Sequence, residues 1–344
     1  MPKKKIGIAM SGGVDSTACA LLTREKFDVQ GYFMQLAQPD LKKQLHRVKE
    51  VAKKLEIQLH VIDLREKFHS KVLEYFSSSY FNGLTPNPCI ICNKEIKFGL
   101  FLDAIMSAGM SQMATGHYAT ILKKENSYRL YVGDDPKKDQ SYFLSRLSQS
   151  QLANILFPLG KMRKESIYDY VESHGFNDFR GQESQDVCFL ENNKIGSFLE
   201  NRSKTSDSSG TIISTSGQTL GTHKGLYRYT IGQRKGLGIS SSSPLYVVGL
   251  DTATNSVVVG GNDELFKKCI QVKELHWLAG KSPDLNKQYT VRIRYSHRGS
   301  LAKLETTDNG KGEFVFNEPQ RAVTPGQFAV VYNNSELLGS AIIE

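Results

Sequence analysis

The segment Ser11-Gly12-Gly13-Val14-Asp15-Ser16 sets two glycines among hydroxyl and carboxyl side chains, directly after the apolar run Ile6–Met10 and directly before a helix-forming stretch. In that place a glycine-rich loop turns several backbone N–H groups and a helix N-terminus toward one anion. Gly12, Gly13 and Val14 would supply N–H groups and Ser11 and Ser16 hydroxyls, while Asp15 would either orient a magnesium ion or cap the helix. The lysine of G-x-x-x-x-G-K-[ST], which grips β and γ phosphates, is missing. The chemistry implied is capture of pyrophosphate while an acceptor attacks the α-phosphorus of a nucleotide.

Thiols form the second reactive set. The chain has five cysteines, Cys19, Cys89, Cys92, Cys188 and Cys269, and an odd number at irregular spacing argues against a structural disulfide framework. Cys89 and Cys92 make a C-x-x-C on a turn just before a helix, a position that lowers thiol pKa and favours the thiolate. A structural zinc site would need a second C-x-x-C or a histidine pair, and neither is present. Cys188, preceded by the polar residues Ser184, Gln185 and Asp186, reads equally as reactive or as core, whereas Cys19 and Cys269 read as inert core.

The elements that must position these groups alternate. Strands are expected at Ile6–Met10, Val29–Met34, Gln58–Asp63 and Gln112–Thr115, with helices at 16–25, 41–55, 67–82 and 95–108 between them. This βαβ series predicts an α/β domain with a parallel sheet, whose ligands sit at the carboxyl ends of the strands, where Gly116, His117 and Tyr118 also fall. Residues 148–175 read as helical, and the polar stretch 201–210 as a linker or mobile loop. Beyond it, short β-branched runs at Leu245–Leu250, Ser256–Val259, Tyr289–Tyr295 and Phe328–Tyr332 predict a small β-rich module and then a β-barrel of about six strands. The expected division is 1–200, 201–270 and 271–344.

Lysine and arginine outnumber aspartate and glutamate by 44 to 35, and the resulting +9 suits a polyanionic partner through counterion release. No run approaches the roughly 18 to 20 apolar residues of a membrane span. The start MPKKKIGIAM leads into a strand rather than a signal core, so a cytoplasmic protein with no membrane partner is expected; a monomer is the expected state.

Seven blocks in order carry a family resemblance: Met10–Ser16; Gly31–Met34; Thr85–Pro88 with Cys92–Phe98; Thr115–Tyr118; Lys138–Leu144; Cys188-Phe189; and Gly232–Gly238. The loop itself resembles the PP-loop of ATP pyrophosphatases, and the set is similar to the tRNA-specific 2-thiouridylase family, MnmA, up to Val323–Gln327. The resemblance implies an N-terminal PP-loop domain of HUP or Rossmann-like type, with ATP on Ala9, Met10, Ser11, Gly12, Gly13, Val14, Asp15 and Ser16 and with Met34 and Gly116 beside it. It implies adenylation of the C2 oxygen of the wobble uridine in tRNAs for Lys, Glu and Gln. A Cys188 persulfide, charged by a sulfur-donor protein, then brings sulfur, Cys92 acts as nucleophile, and a Cys92–Cys188 disulfide closes and is reopened by a reductant. Asn87, Pro88 and Cys89 match positions at the target base. His117, Lys138, Asp139, Gln140, Arg294, Tyr295 and Gln327 match tRNA contacts.

Two departures matter. Only Gln35–Asp40 follows Met34 where many relatives carry a longer acidic segment, and Cys89 stands where the common pattern has Asp. Three thiols, Cys89, Cys92 and Cys188, could also hold a [4Fe-4S] cluster with one open iron that delivers sulfide. A PP-loop ligase acting on a small metabolite and a non-catalytic RNA-binding module are the competing functions. The first would leave Cys92 and Cys188 idle, and the second would reduce the loop to a structural turn.

Overall fold

A computed structural model describes residues 3–180, 187–190, 194–202, 208–306 and 311–344. The first sheet is parallel throughout, in the order β3 (Leu59–Asp63), β2 (Asp28–Gln35), β1 (Lys5–Ala9), β4 (Gln112–Ala114), β7 (Ile155–Leu156). Chain order runs outward from β1 to both sides, so the crevice between β1 and β4 is the topological switch point where such sheets take ligands. Alternation fills both faces. Ile6, Ile8 and Ala114 pack with α1 (Val14–Arg24) and α2 (Leu41–Lys54), while Tyr32 and Met113 join the core on the other side.

The opposite layer holds two long helical runs. One passes from α3 (Arg65–Phe68) through a wide turn, His69–Leu73, into α4 (Glu74–Phe81). The other begins at α5 (Pro88–Ile91), continues with i→i+5 bonding through Cys92–Phe101 and ends in α6 (Leu102–Ser107). It was expected to start at Glu95. It starts seven residues earlier because Pro88 occupies the first helical position and the Asn87 side chain caps it, accepting from the Ile90 N–H at 3.3 Å.

Residues 148–175, read above as helical, contain a strand. The helix α7 (Gln149–Ala153), opened by a Ser148/Gln151 capping box, stops at Asn154, and β7 then adds the fifth strand before α8 (Lys164–Ser173). Phe157-Pro158-Leu159-Gly160 breaks any continuous helix between them.

The small helix α9 (Ile195–Glu200) leads to a four-stranded sheet in the order β10 (Tyr246–Asp251), β11 (Ser256–Gly260), β8 (Gly210–Ser214), β9 (Thr219–His223). Of the stretch read as a linker, residues 203–207 lie outside the described residues. The last unit is a closed six-strand barrel of β12 (Phe266–Trp277), β15 (Gly312–Arg321), β14 (Ser300–Thr306), β13 (Gln288–Arg292), β16 (Phe328–Asn333) and β17 (Glu336–Ile343), closed by β12 against β17. On β12, Ile270 and Val272 point inward and Cys269 outward, so Cys269 is an exposed residue and not core. Cys19 is fully buried, as expected.

The hairpin of β5 (Ala119–Lys124) and β6 (Ser127–Val132), unforeseen in the sequence, leaves the first sheet and pairs with β17. Around that junction Tyr142 donates to the Phe328 carbonyl at 2.9 Å and Arg292 pairs with buried Asp139 at 3.0 Å. The barrel is thereby fixed to the hairpin and to the segment 139–142, both of which follow β4 in the chain.

Candidate active site

The loop between β1 and α1 holds the phosphate-type geometry. Gly12 has φ +77, and a side chain there would meet Val48 backbone and side chain at 3.0–3.2 Å. Gly13 is the N-cap of α1 without any side-chain cap, so the first N–H groups of the helix face outward from the strand end. Ser16 Oγ donates to the Gly13 carbonyl at 2.9 Å and accepts from the Ser11 N–H at 3.2 Å, which ties the turn together. Gly116, just beyond β4, lies so close that a Cβ would sit 2.7 Å from the Asp15 carbonyl, so only glycine lets the two strand ends meet. Asp15 does not cap its helix. Its carboxylate is held by Lys164 Nζ at 2.7 and 2.9 Å and accepts from the Tyr118 hydroxyl at 2.5 Å.

Next to this loop opens a cavity of about 870 Å³. One end is lined by Ser11, Gly13, Val14 and Asp15, the other by Cys89, Cys92 and Cys188. Asn87, Pro88, His117, Lys138, Gln140 and Tyr295 also line it. Among the described residues four lysines and one carboxylate stand in its wall, namely Lys97, Lys137, Lys138 and Lys164 against Asp15, a balance that favours a polyanion.

The thiol end is built by the irregular helix. Cys92 and Lys97 are five apart, and the i→i+5 register over Cys92–Phe101 returns Lys97 to the face that carries Cys92. At Gly99 the helix kinks (φ −97, ψ −107), and the Gln151 side chain braces the kink by donating to the carbonyls of Lys94 at 2.8 Å and Phe98 at 2.9 Å. Cys188 comes from the other side of the cavity on a turn closed by Leu190 N–H to the Val187 carbonyl at 3.0 Å. Phe189 anchors that turn, packing edge-on against Phe68 and Phe76 with centroids 5.8 and 5.1 Å away. The polar residues Ser184, Gln185 and Asp186, which preceded Cys188 in the sequence reading, lie outside the described residues.

A helix N-terminus was expected to lower the Cys92 pKa. Burial wins instead: it pushes the Cys92 thiol up to about 12, Lys97 opposes it, and the neighbouring Cys188 and Cys89 add to the rise. Cys89 is raised by burial and lowered by Lys97 in the same way. Cys188 reaches solvent, yet the surrounding protein raises it to about 11, with Cys89 adding to the rise and Lys97 opposing. Lys97 is thus the cation that acts on all three thiols. Its Nζ lies 3.5 Å from His117 Nε2, and His117 Nδ1 lies 2.6 Å from Thr115 Oγ1. An ammonium can only donate, so Nε2 accepts and the ring proton sits on Nδ1, donating to Thr115. Burial first and Lys97 second hold His117 well below its usual pKa, in the neutral form this pattern needs.

Other expected residues fall elsewhere. Ala9 ends β1 and buried Met10 leads directly into the loop, whereas Met34 near the end of β2 packs against the core, and none of the three lines the cavity. Asp139 is buried under Arg292 and the Ser141 and Gly133 N–H groups. Arg294 donates to the Arg321 carbonyl at 3.1 Å, and Gln327 donates to the carbonyls of Thr85 and Pro86 at 2.9 and 3.3 Å. Gln327 therefore straps the loop before Cys89 to the barrel. Tyr295 is exposed and lies against Phe143, centroids 4.5 Å apart, as an aromatic surface at the cavity. Lys97, Tyr118 and Lys164 carry no role expected from the sequence, although Lys97 stands within Cys92–Phe98 and Tyr118 within Thr115–Tyr118. Among the described residues no three His, Cys, Asp or Glu side chains are grouped so as to hold a metal ion, and no helix is long and apolar enough to cross a membrane.

Three family models together match most of the chain: a tRNA methyl transferase HUP domain over 4–192, a tRNA methyl transferase PRC-barrel domain over 196–261 and an aminomethyltransferase beta-barrel domain over 267–343. The chain is similar to the tRNA-specific 2-thiouridylase MnmA of Desulfotalea psychrophila, 55% identical over 343 residues with all of both chains covered. It is 41% identical to that of Syntrophomonas wolfei, covering 98% of this chain and 99% of the relative. It is 36% identical to one from Clostridium botulinum over 100% and 99%.

Proposed function

The chain belongs to the tRNA-specific 2-thiouridylase family, and on that premise we propose that it is a tRNA-uridine 2-sulfurtransferase that uses ATP to exchange the C2 oxygen of a wobble uridine for sulfur. The observation that carries this reading is a single cavity with a phosphate-type loop at one end and three thiols at the other. A base bound between them would reach both chemistries without leaving.

In the first half, the C2 oxygen attacks the α-phosphorus of ATP on the loop Ala9–Ser16, forming an O–P bond and releasing pyrophosphate. This converts a poor leaving oxygen into AMP. Among the described residues of the wall magnesium would find one carboxylate, Asp15, and the phosphate oxygens and water would supply its other ligands. In the second half, the terminal sulfur of a Cys188 persulfide attacks C2 and AMP leaves with the oxygen. The Cys92 thiolate then attacks Cys188 Sγ, the sulfur–sulfur bond to the transferred atom breaks, and thiouridine leaves with that electron pair. A Cys92–Cys188 disulfide remains for a thiol reductant to reopen. Cys92 needs its proton removed in this step, and Lys97 is the charge that favours the thiolate.

Asn87, Pro88 and Cys89 meet the target base in this reading, while Lys138, Gln140, Tyr295 and His117 contact the tRNA around it. Asp139, Arg294 and Gln327 serve the tRNA contact by holding the barrel and the 85–88 loop in place. We assign adenylation and thiolation to 1–200, a linking role to 201–270 and tRNA contact to 271–344, in a cytoplasmic monomer charged by a sulfur-donor protein.

Cys89, half-buried in the same wall as Cys92, is what favours the second reading, a [4Fe-4S] cluster on Cys89, Cys92 and Cys188. Against it stands the lack, among the described residues, of any three side chains grouped for a metal. Anaerobic purification separates the two: iron-free protein that still thiolates tRNA excludes the cluster. The main reading is tested by measuring AMP and pyrophosphate with and without tRNA. Formation that depends on tRNA supports it, formation indifferent to tRNA favours a metabolite ligase, and no pyrophosphate at all favours a binding module.

A further inference from the structure

A site that takes the phosphates of ATP meets a leaving group with several negative charges, yet the loop Ser11–Ser16 contains no cation. The start of α1 offers only about half a positive charge, and Asp15 adds a negative one. Of the four lysines in the cavity wall, Lys97 stands at the thiol end against His117, whereas Lys164 reaches the loop. It comes from a position 149 residues away, at the first turn of α8, where its backbone N–H is held by Asp135 Oδ2 at 3.0 Å. Its ammonium lies over the rings of Tyr118 and Tyr168, 5.6 and 5.1 Å from their centroids. Its side chain is 10% exposed, against 35% for Asp15.

A part-buried ion pair is a poor way to hold two helices together, because apolar residues of similar volume usually do as well or better. Elsewhere α1 and α8 do pack through apolar side chains, among them Ala18 and Ile167. The pair sits instead in the cavity wall, beside the N–H groups of the loop.

We propose that Lys164 is the cation of the phosphate loop, an ammonium carried by α8 that partners Asp15 and is shared with the departing pyrophosphate. The inference rests on the loop taking pyrophosphate, as proposed above. The bond that breaks joins the α-phosphorus to the bridging oxygen, and the electron pair stays on pyrophosphate. Lys164 stabilises that charge by donating a hydrogen bond and gives up no proton.

Binding of inorganic pyrophosphate and of adenosine to the full chain, without tRNA and without magnesium, tests this by calorimetry. In Lys164→Met pyrophosphate affinity should fall roughly tenfold to a hundredfold, the worth of one charge-assisted hydrogen bond. Adenosine affinity should stay within about twofold, since no charge is involved. Lys164→Arg should recover most of the loss. Asp15→Asn breaks the same ion pair but leaves the ammonium for the anion, so its pyrophosphate affinity should hold or rise. Should Lys164→Met be unstable, the double variant Asp15→Asn/Lys164→Met removes both charges of this pair together and should show the same selective loss. Equal pyrophosphate affinity in wild type and Lys164→Met overturns the proposal, as does a parallel loss in Lys164→Met and Asp15→Asn, which would mark the pair as a strut. A wild type that binds no pyrophosphate overturns the reading of the loop itself, and this inference with it.

Discussion

The two ends of the cavity manage charge in opposite ways. At the loop, the carboxylate of Asp15 is compensated by the Lys164 ammonium and the Tyr118 hydroxyl, and backbone N–H groups add donors. At the thiols, the surrounding protein displaces water and raises half-buried Cys89 and Cys92 and exposed Cys188 together, and Lys97 works against that rise. The difference teaches a division of labour. In the proposed reaction the first end accepts an anion as it forms, and the second keeps sulfur protonated until a partner draws the thiolate out.

Substituting Cys188 should separate the ends most sharply. Cys188→Ser is expected to abolish thiolation while pyrophosphate release in a single turnover with tRNA continues. Loss of both activities would mean that the ends are not separable. Gly116→Ala attacks the other end, because its Cβ would meet Asp15 backbone at 2.7 Å. An overpacking cost of about 1–3 kcal/mol should appear as weakened ATP binding, with alkylation of Cys188 unchanged. An unaltered ATP affinity would show that the two strand ends need not touch.

Lys97→Met should act on the three thiols and on His117, which faces the same ammonium, and leave the loop end alone. In the wild type, alkylation of Cys92 and Cys188 should climb with pH up to their values of about 12 and about 11, Cys188 leading. Removing the cation raises both values, so at any pH below them both rates should fall, by roughly tenfold for each unit of displacement. Mass spectrometry after timed alkylation reads both sites, and unchanged pH profiles would remove Lys97 from the account. The smallest effect is expected for Gln151→Ala, which takes the donor from two carbonyls at the helix kink. Unsatisfied carbonyls cost about 1–3 kcal/mol, read as a lower midpoint of denaturant unfolding. Cys92 alkylation should shift slightly as the helix face turns.

The loop end was the more legible in sequence because it is local: one strand, two glycines and one helix start are contiguous from Ile6 to Ser16. Lys164 was not legible, since only folding brings α8 to α1. The thiols were visible as residues but their environment was not. Burial of Cys92 depends on the packing of Phe189 and on a helix that begins at Pro88, and an i→i+5 register leaves no periodic signature. The hairpin 119–132 was missed for a similar reason: it belongs to a sheet whose other strands lie more than a hundred residues later. The barrel and the parallel sheet, in contrast, follow from apolar alternation within each strand.

The central claim is that both ends act on the same oxygen. A tRNA carrying oxygen-18 at C2 of the wobble uridine, turned over once with ATP and a persulfide-charged enzyme, tests it directly. The expected result is AMP that carries the heavy oxygen on its phosphate, in equal amount to the thiouridine formed. Thiouridine formed together with unlabelled AMP would contradict it.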